Sequence, residues 1–342
     1  MNTSDPLAQA HVLQTQGRHV EAREILSRLA DQGDADAQAA LGKSLLFREP
    51  IDYPRGIDLV LRATQANNAE ALRLCSVLSA SGAGMPQDWG AALGYLEASA
   101  QSGLAAAQGE LRLLASMPGN DWKKLRENVD LDALLAPARM QLVHTRPRIA
   151  VVEKFLTPDF CDWLIARAKP KIGPAQMIDE EGVHYVGSQR NNSWAYFGLS
   201  ELDIAFVIVR ARIAALTGLP VSGFEKTQIL HYAPGQRFVA HHDFFDPKLP
   251  AQRKMMDVLG QRVVTFLIYL NDGFDGAETG FMELNWRYRG NKGDAILFRN
   301  VDATGAPDPT TLHAGLAPLR GEKWLLSQWI RLAPSAGPAR TS

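Results

Sequence analysis

The run HYAPGQRFVAHHDFF, residues 231–245, decides how this chain is read. Three later runs complete it: RVVTFLIYLNDGFDGAETGF (262–281), KGDAILFRN (292–300) and TLHAGLAPLRGEKWLLSQWIR (311–331). Residues 236–245, entered through the turn Ala233-Pro234-Gly235, read as a strand. Alternate side chains of a strand share a face. His241 and Asp243 therefore point the same way, and His242 points away.

An imidazole and a carboxylate that project together are two corners of a metal site. His313, in TLHAG, is the best-placed third ligand. Two histidines and one carboxylate on one face of an octahedron leave three positions open, which is the preference of non-haem Fe(II). Zinc, with a water in its fourth position, would accept the same ligands. Lys323 follows His313 by ten residues, across the turn Leu319-Arg320-Gly321. The run after it reads as a strand with Lys323, Leu325, Ser327, Trp329 and Arg331 on one face. A lysine among bulky apolar residues on a buried face needs an anion. A dicarboxylate that chelates iron at one end would offer its far carboxylate to Lys323. A hydrolytic zinc site has no evident use for this lysine, although a lysine at a strand start can also snorkel to water.

Taken together, these runs resemble the prolyl 4-hydroxylase branch of the Fe(II)/2-oxoglutarate dioxygenases. The resemblance rests on Tyr232 nine positions before His241, His241-x-Asp243, Gln261-Arg262-Val263-Val264-Thr265, Gly276-x-Glu278-Thr279-x-Phe281, Lys292-Gly293-Asp294-Ala295, His313, Gly321-Glu322-Lys323-Trp324 and Trp329. It is strong from about Phe224 to Leu332 and weaker from Ile149 to Gly223. It implies Fe(II) on His241, Asp243 and His313, with 2-oxoglutarate (2OG) anchored by Lys323. Tyr232 and Thr279 would add hydrogen bonds to 2OG, Trp329 would wall its pocket, and Arg262 would be a catalytic residue near the substrate. It further implies ascorbate as a reductant, a peptide or protein substrate and prolyl 4-hydroxylation. The alternatives are a hydroxylase of a free amino acid or other small molecule, and a non-catalytic binding module that uses the helical region described next. Two departures stand out: Ala277 replaces the family's second glycine, and residues 246–260 are longer and more polar than the family leads one to expect.

Residues 5–116 are helical and repetitive. Ala37, Ala71 and Ala107 align at spacings of 34 and 36 residues. Helix pairs at that period stack into an α-solenoid. The segment resembles Sel1-like repeats, with two good units flanked by partial ones, and alanines at the crossings permit close approach. Glycine-containing turns at Gly33, Gly82-Ala83-Gly84 and Gly103 separate the helices. The array is either a scaffold for a protein partner or a cap on the catalytic domain. Residues 117–148, punctuated by Pro118, Gly119, Pro137 and Pro147, read as a linker with one helix over 121–137.

A strand and a helix follow, the helix capped by Thr157 with Pro158 in its first position. The run QRNNSWAYF, 189–197, reads as a solvated loop from which Arg190 and Asn192 could reach substrate. An apolar helix ending near Gly218 should pack on the sheet. Short strands from Phe224 onward suit a jelly roll with the metal at its open end. Trp286 and Tyr288 read as edge-strand packing, and 253–257 as a lid helix or a solvated loop. The predicted fold is thus α+β: a solenoid over 5–116, a catalytic jelly-roll domain over 149–333 with its core at 224–332, and a flexible tail at 334–342.

The net charge is −1 at pH 7, which gives no general attraction to nucleic acid or membrane. Neither a signal-like N-terminus nor a long apolar span is evident. Cys75 and Cys161 read as buried small hydrophobes and not as a disulfide pair, which fits a reducing compartment. A cytoplasmic location is therefore expected.

Overall fold

The computed structural model describes residues 5–332, apart from 176, 179–183, 186 and 188. The tail expected at 334–342 lies outside the described residues. The chain divides into two units: residues up to Leu135 with Leu199–Val209, and Ala136–Gly198 with the residues from Arg210 onward.

The first unit is a stack of helix pairs running from Pro6–Thr15 through Ala35–Phe47, Tyr53–Gln65, Ala69–Ser81 and Trp89–Gln101 to Ala105–Ala115. In the first two of the three aligned helices the period seen in the sequence is a capping period as well as a packing one, while Leu104, ahead of the third, makes no side-chain cap. Asp34 accepts the Ala37 amide at 2.8 Å, and Asn68 accepts the Ala71 amide at 2.9 Å. Each such cap contributes about 1 kcal/mol. Ala37, Ala71 and Ala107 are all buried, as expected of helix crossings. One crossing is made by glycine instead. A Cβ on Gly42 would lie 2.6 Å from the Val60 side chain and 2.9 Å from the Gly56 carbonyl. A buried ion cluster, absent from the sequence reading, ties 199–209 to these helices. Glu110 accepts the Ile204 amide, and Arg73 Nε lies 3.3 Å from its other oxygen. Burial, then Asp203 alongside, push the Glu110 carboxyl up to about 8.

Residues 117–148 do not hold the single helix expected. Trp122–Glu127 ends at Asn128, whose side chain bonds the Lys124 carbonyl at 2.7 Å. A second helix, Leu131–Leu135, restarts behind Asp130, which caps the Ala133 amide at 2.9 Å. Two capping side chains two residues apart, Asn128 and Asp130, break the continuous helix. The same stretch supplies the strand Gln141–Thr145.

The second unit is an antiparallel β-sandwich. Its larger sheet runs in the order Gln141–Thr145, Arg148–Val152, Ala295–Arg299, Gln261–Tyr269, Lys323–Leu332, Thr227–Tyr232, Ser193–Phe197 and Gly173–Pro174. The smaller sheet runs Trp286–Tyr288, Thr279–Phe281, His313–Gly315 and Phe238–His241. Apolar side chains from both fill the interior, among them Leu230, Leu267, Tyr269, Phe281, Phe298 and Leu325. The helix Pro158–Ala168 starts on the Thr157 cap with Pro158 in its first turn. The apolar helix is Ile204–Thr217, and from its Arg210 onward it belongs to this unit. Arg210 reaches Thr227 Oγ1 at 3.2 Å and Gln328 Oε1 at 3.4 Å, side chains of two sheet strands. Residues 250–259 form a helix, Pro250–Leu259, rather than a solvated loop. Cys75 and Cys161 are free and buried. Among the described residues no helix is long and apolar enough to cross a membrane.

Candidate active site

The strand expected over 236–245 is shorter, Phe238–His241, and Asp243 lies just past its end. The predicted grouping nevertheless forms. His313 sits directly opposite His241 in the neighbouring strand. One ligand atom each from His241, Asp243 and His313 lie within 4.8 Å of one another. The Nε2 atoms of His241 and His313 are each 3.5 Å from an Asp243 oxygen. Each histidine donates from Nδ1 to the carbonyl two residues earlier, Val239 for His241 and Thr311 for His313, both at 2.9 Å. That bond fixes the tautomer and leaves the Nε2 lone pair facing the cluster. Phe238 stacks on His241 with ring centroids 3.6 Å apart. Burial, with His241 nearby, drives the His313 imidazole down to about 4, so it is neutral at pH 7. Burial raises the Asp243 carboxyl, but His313, His241 and Arg262 outweigh it and hold the group well below the usual carboxylate range. Two free imidazole lone pairs and one carboxylate fit a divalent iron.

Lys323 comes from the larger sheet, paired with Tyr232 in the adjacent strand. It is 1% exposed, and its ammonium bonds the Ala277 carbonyl at 2.7 Å. The rings of Tyr269 and Tyr232 lie 5.0 and 5.4 Å from Nζ. Burial pushes this lysine down to about 7, with Glu278 opposing. The cost of holding a cation here is what an incoming carboxylate would remove. Gly276 and Ala277 both have positive φ, 69° and 56°, and this turn carries the carbonyl that meets Lys323. The family's glycine is thus replaced where a Cβ costs about 1 kcal/mol.

One inner chamber is lined by the three metal-site residues together with Lys323, Tyr232, Thr279 and Trp329. Tyr232 has room because the facing residue is Gly315, where a Cβ would lie 3.0 Å from the Tyr232 hydroxyl. Thr279 Oγ1 is 2.9 Å from the Tyr269 hydroxyl, which itself donates to the Tyr288 carbonyl. Thr279 is therefore the donor of that pair. A carboxylate arriving beside it competes with Tyr269 for the proton.

Arg262 is placed elsewhere. It does not line the inner chamber but borders an outer cavity of about 1580 Å³. There it meets Glu225 through two nitrogens, at 2.5 and 3.0 Å, and lies 3.6 Å above the Trp329 ring. Arg331 reaches the same Glu225 at 2.7 Å. Arg190 and Asn192, read as loop residues, are buried at 4% and 1% exposure. The reason is stacking: the Arg190 guanidinium lies between Trp194 and Phe238, 4.3 and 4.5 Å from their centroids. His242 bonds the Pro309 carbonyl at 3.0 Å, so it is not a fourth ligand. Trp286 packs on Phe281 and His144, and Tyr288 on Tyr269, as expected of an edge strand.

Sequence reasoning missed the groups that hold the ligands. Thr265 donates to Asp243 Oδ2 at 2.7 Å, and Asn300 donates to Thr265 at 2.9 Å. The available signal was a lone threonine in an otherwise apolar strand, RVVTFLIYL. Glu225 was missed too, because its partners lie 37 and 106 residues away.

A jelly-roll sandwich with two histidines and a carboxylate on its smaller sheet, and a buried lysine on the larger, defines an iron- and 2OG-dependent oxygenase. The family model of the 2OG-Fe(II) oxygenase superfamily matches residues 227–331. Prolyl 4-hydroxylase 1 of Arabidopsis thaliana is 32% identical over 207 residues, spanning 56% of this chain and 71% of the relative. The viral collagen prolyl hydroxylase of Paramecium Bursaria Chlorella virus-1 is 27% identical with a TM-score of 0.41, covering 54% of this chain and 95% of that one. A Sel1 repeat protein of Oxalobacter formigenes is 22% identical with a TM-score of 0.30, covering 39% of this chain and 62% of that one. The chain belongs to the 2OG-Fe(II) oxygenases of the prolyl 4-hydroxylase type.

Proposed function

We propose that the chain hydroxylates an unactivated C–H bond of a peptide or protein, with a peptidyl proline as the first candidate. The observation that carries this reading is the size of the outer cavity, about 1580 Å³, which adjoins the inner chamber: Arg190, His241, Asp243 and Trp329 line both. A free amino acid would fill only a small part of it. The relatives named prolyl 4-hydroxylases point the same way.

In this proposal His241, Asp243 and His313 hold Fe(II), and Lys323 anchors the far carboxylate of 2OG. Tyr232 and Thr279 supply further hydrogen bonds to it, and Trp329 walls off water. When bound, the iron and 2OG supply the oxidising chemistry, with 2OG and O2 consumed and succinate and CO2 released. The chain's own residues orient and exclude. Val239 and Thr311 carbonyls fix the imidazoles, Thr265 fixes the carboxylate, and the apolar interior keeps the chamber dry. Arg262, held by Glu225 against Trp329, positions the wall on which substrate would rest. Ascorbate as reductant and a cytoplasmic location belong to the same proposal.

The test is anaerobic titration of the metal-free protein with Fe(II) and then 2OG, followed by peptide-stimulated succinate release. A weak visible charge-transfer band that needs both additions supports the site. His241→Ala should abolish both the band and turnover while circular dichroism stays unchanged. Full turnover in that variant would remove His241 from the ligand set. A band without stimulation by any proline peptide, but with stimulation by a free amino acid, would transfer the proposal to a small-molecule hydroxylase.

A further inference from the structure

Arg190 is the most costly cation in the outer cavity. It is 4% exposed, yet among the described residues only its Nε has a hydrogen-bond partner, Asn192 Oδ1 at 3.0 Å. Among the described residues, neither terminal nitrogen of its guanidinium meets a carboxylate or a carbonyl. Stacking between Trp194 and Phe238 holds the group flat and leaves its fork free. It borders the inner chamber and the outer cavity alike. Burial pulls it below the ordinary arginine range.

Among the described residues, the rest of the outer cavity does not neutralise it. Arg262, Arg331 and Lys226 also line that space, and Glu225 is the one carboxylate there besides the metal-site Asp243. Glu225 is already shared between Arg262 and Arg331. Among the described residues that line it, the cavity therefore carries surplus positive charge, whose buried unpaired portion is at Arg190, Lys226 being exposed to water. A peptide carbonyl would satisfy an N–H but not the charge. A carboxylate satisfies both, and its two oxygens match the guanidinium fork.

We propose that the outer cavity selects peptides with an acidic side chain beside the residue to be hydroxylated, and that Arg190 receives that carboxylate. The proposal rests on the peptide reading above. A second source of the same chemistry is the iron-proximal carboxylate of 2OG, and the experiment separates the two.

Proline peptides carrying Glu, Gln or Lys at each of the flanking positions are assayed by succinate release and mass shift with the full chain, Fe(II) and 2OG. At one position Glu should exceed Gln by about tenfold in kcat/KM, with Lys below Gln. In Arg190→Gln that Glu:Gln ratio should fall to about one, whatever rate remains. If Arg190→Gln does not fold, Arg190→Lys keeps the charge but loses the fork. Glu should then stay above Lys while the Glu:Gln ratio falls. Equal turnover of Glu and Gln peptides at every position by the wild type overturns this proposal alone, since neutral peptides are then still hydroxylated. A ratio that survives in Arg190→Gln overturns it too. A raised KM for 2OG with the ratio unchanged assigns the guanidinium to the co-substrate instead. Silence of the whole library, with the Fe(II)–2OG band intact, overturns the peptide reading and the acidic preference with it.

Discussion

The inner chamber and the outer cavity share a wall at Trp329 but treat charge in opposite ways. In the inner chamber Lys323 is buried with a single carbonyl for a partner, and its pKa falls to about 7. In the outer cavity Glu225 is already bound by two guanidiniums, and its carboxyl is held low although burial pushes the other way. One region offers a buried cation to an anion. The other has most of its charge paired before anything arrives. In the proposed reading, the difference separates a site for a fixed co-substrate from a surface on which shape, and the one buried charge left over at Arg190, select the substrate.

Breaking the inner side should have the largest effect. Lys323→Ala should raise KM for 2OG about 100-fold and leave substrate KM within about threefold, read from steady-state succinate release. Equal increases in both would reassign the lysine. The pH dependence follows from the same group. The dicarboxylate prefers the protonated amine, so KM for 2OG should be lowest below pH 7 and rise as pH climbs through about 7. Lys323→Arg stays charged and should flatten that rise. The sign for stability is separate. The folded pKa is depressed from 10.5 to about 7, so the unfolded chain binds the extra proton in that window. The ligand-free protein should thus lose stability as pH falls from about 10 to about 7, and Lys323→Met should raise its Tm.

The support beneath the metal ligands comes next. Thr265→Val removes the donor to Asp243 Oδ2 without changing side-chain shape. Iron affinity should fall about 10- to 100-fold, measured by competition with a chelator, while 2OG affinity at saturating iron is unchanged. Unchanged iron binding would mean that the histidine carbonyl bonds alone fix the site.

Glu225→Gln tests the outer side by itself. Two buried guanidiniums would lose their shared anion, at a cost of about 2–4 kcal/mol in stability. KM for a peptide substrate should shift about tenfold with KM for 2OG little changed. If instead KM for 2OG moves as much, the two regions are one electrostatic unit and the contrast between them fails.

How much of this was legible depended on how local the physics was. His241 and Asp243 are two residues apart on an extended chain, so backbone geometry alone aligns them. Lys323, Leu325, Ser327 and Trp329 share a strand face for the same reason and do line the inner chamber. The solenoid period was readable because alanines recur at the helix crossings, Ala37, Ala71 and Ala107, all of them buried. What was not legible required distant partners. Arg190 reads as a polar loop residue until Trp194 and Phe238 close on it. Arg262 matches the family pattern but says nothing of Glu225. The Glu110–Arg73 contact joins side chains whose partnership no local pattern announces.

Ala277 gives the smallest and finest comparison, because it touches only the inner side. Its φ of 56° is a left-handed conformation that glycine adopts freely, and its carbonyl is what Lys323 holds. Ala277→Gly removes about 1 kcal/mol of strain from the folded state but adds freedom to the unfolded chain, so the net change in stability should stay within about 1 kcal/mol. Its effect on binding has a definite direction. A relaxed turn holds the carbonyl on Lys323 at less cost, so the carbonyl competes better with the incoming carboxylate. KM for 2OG should rise about two- to threefold with peptide selectivity unchanged. A fall in KM would mean the alanine strain hinders the anion instead of keeping the lysine available for it.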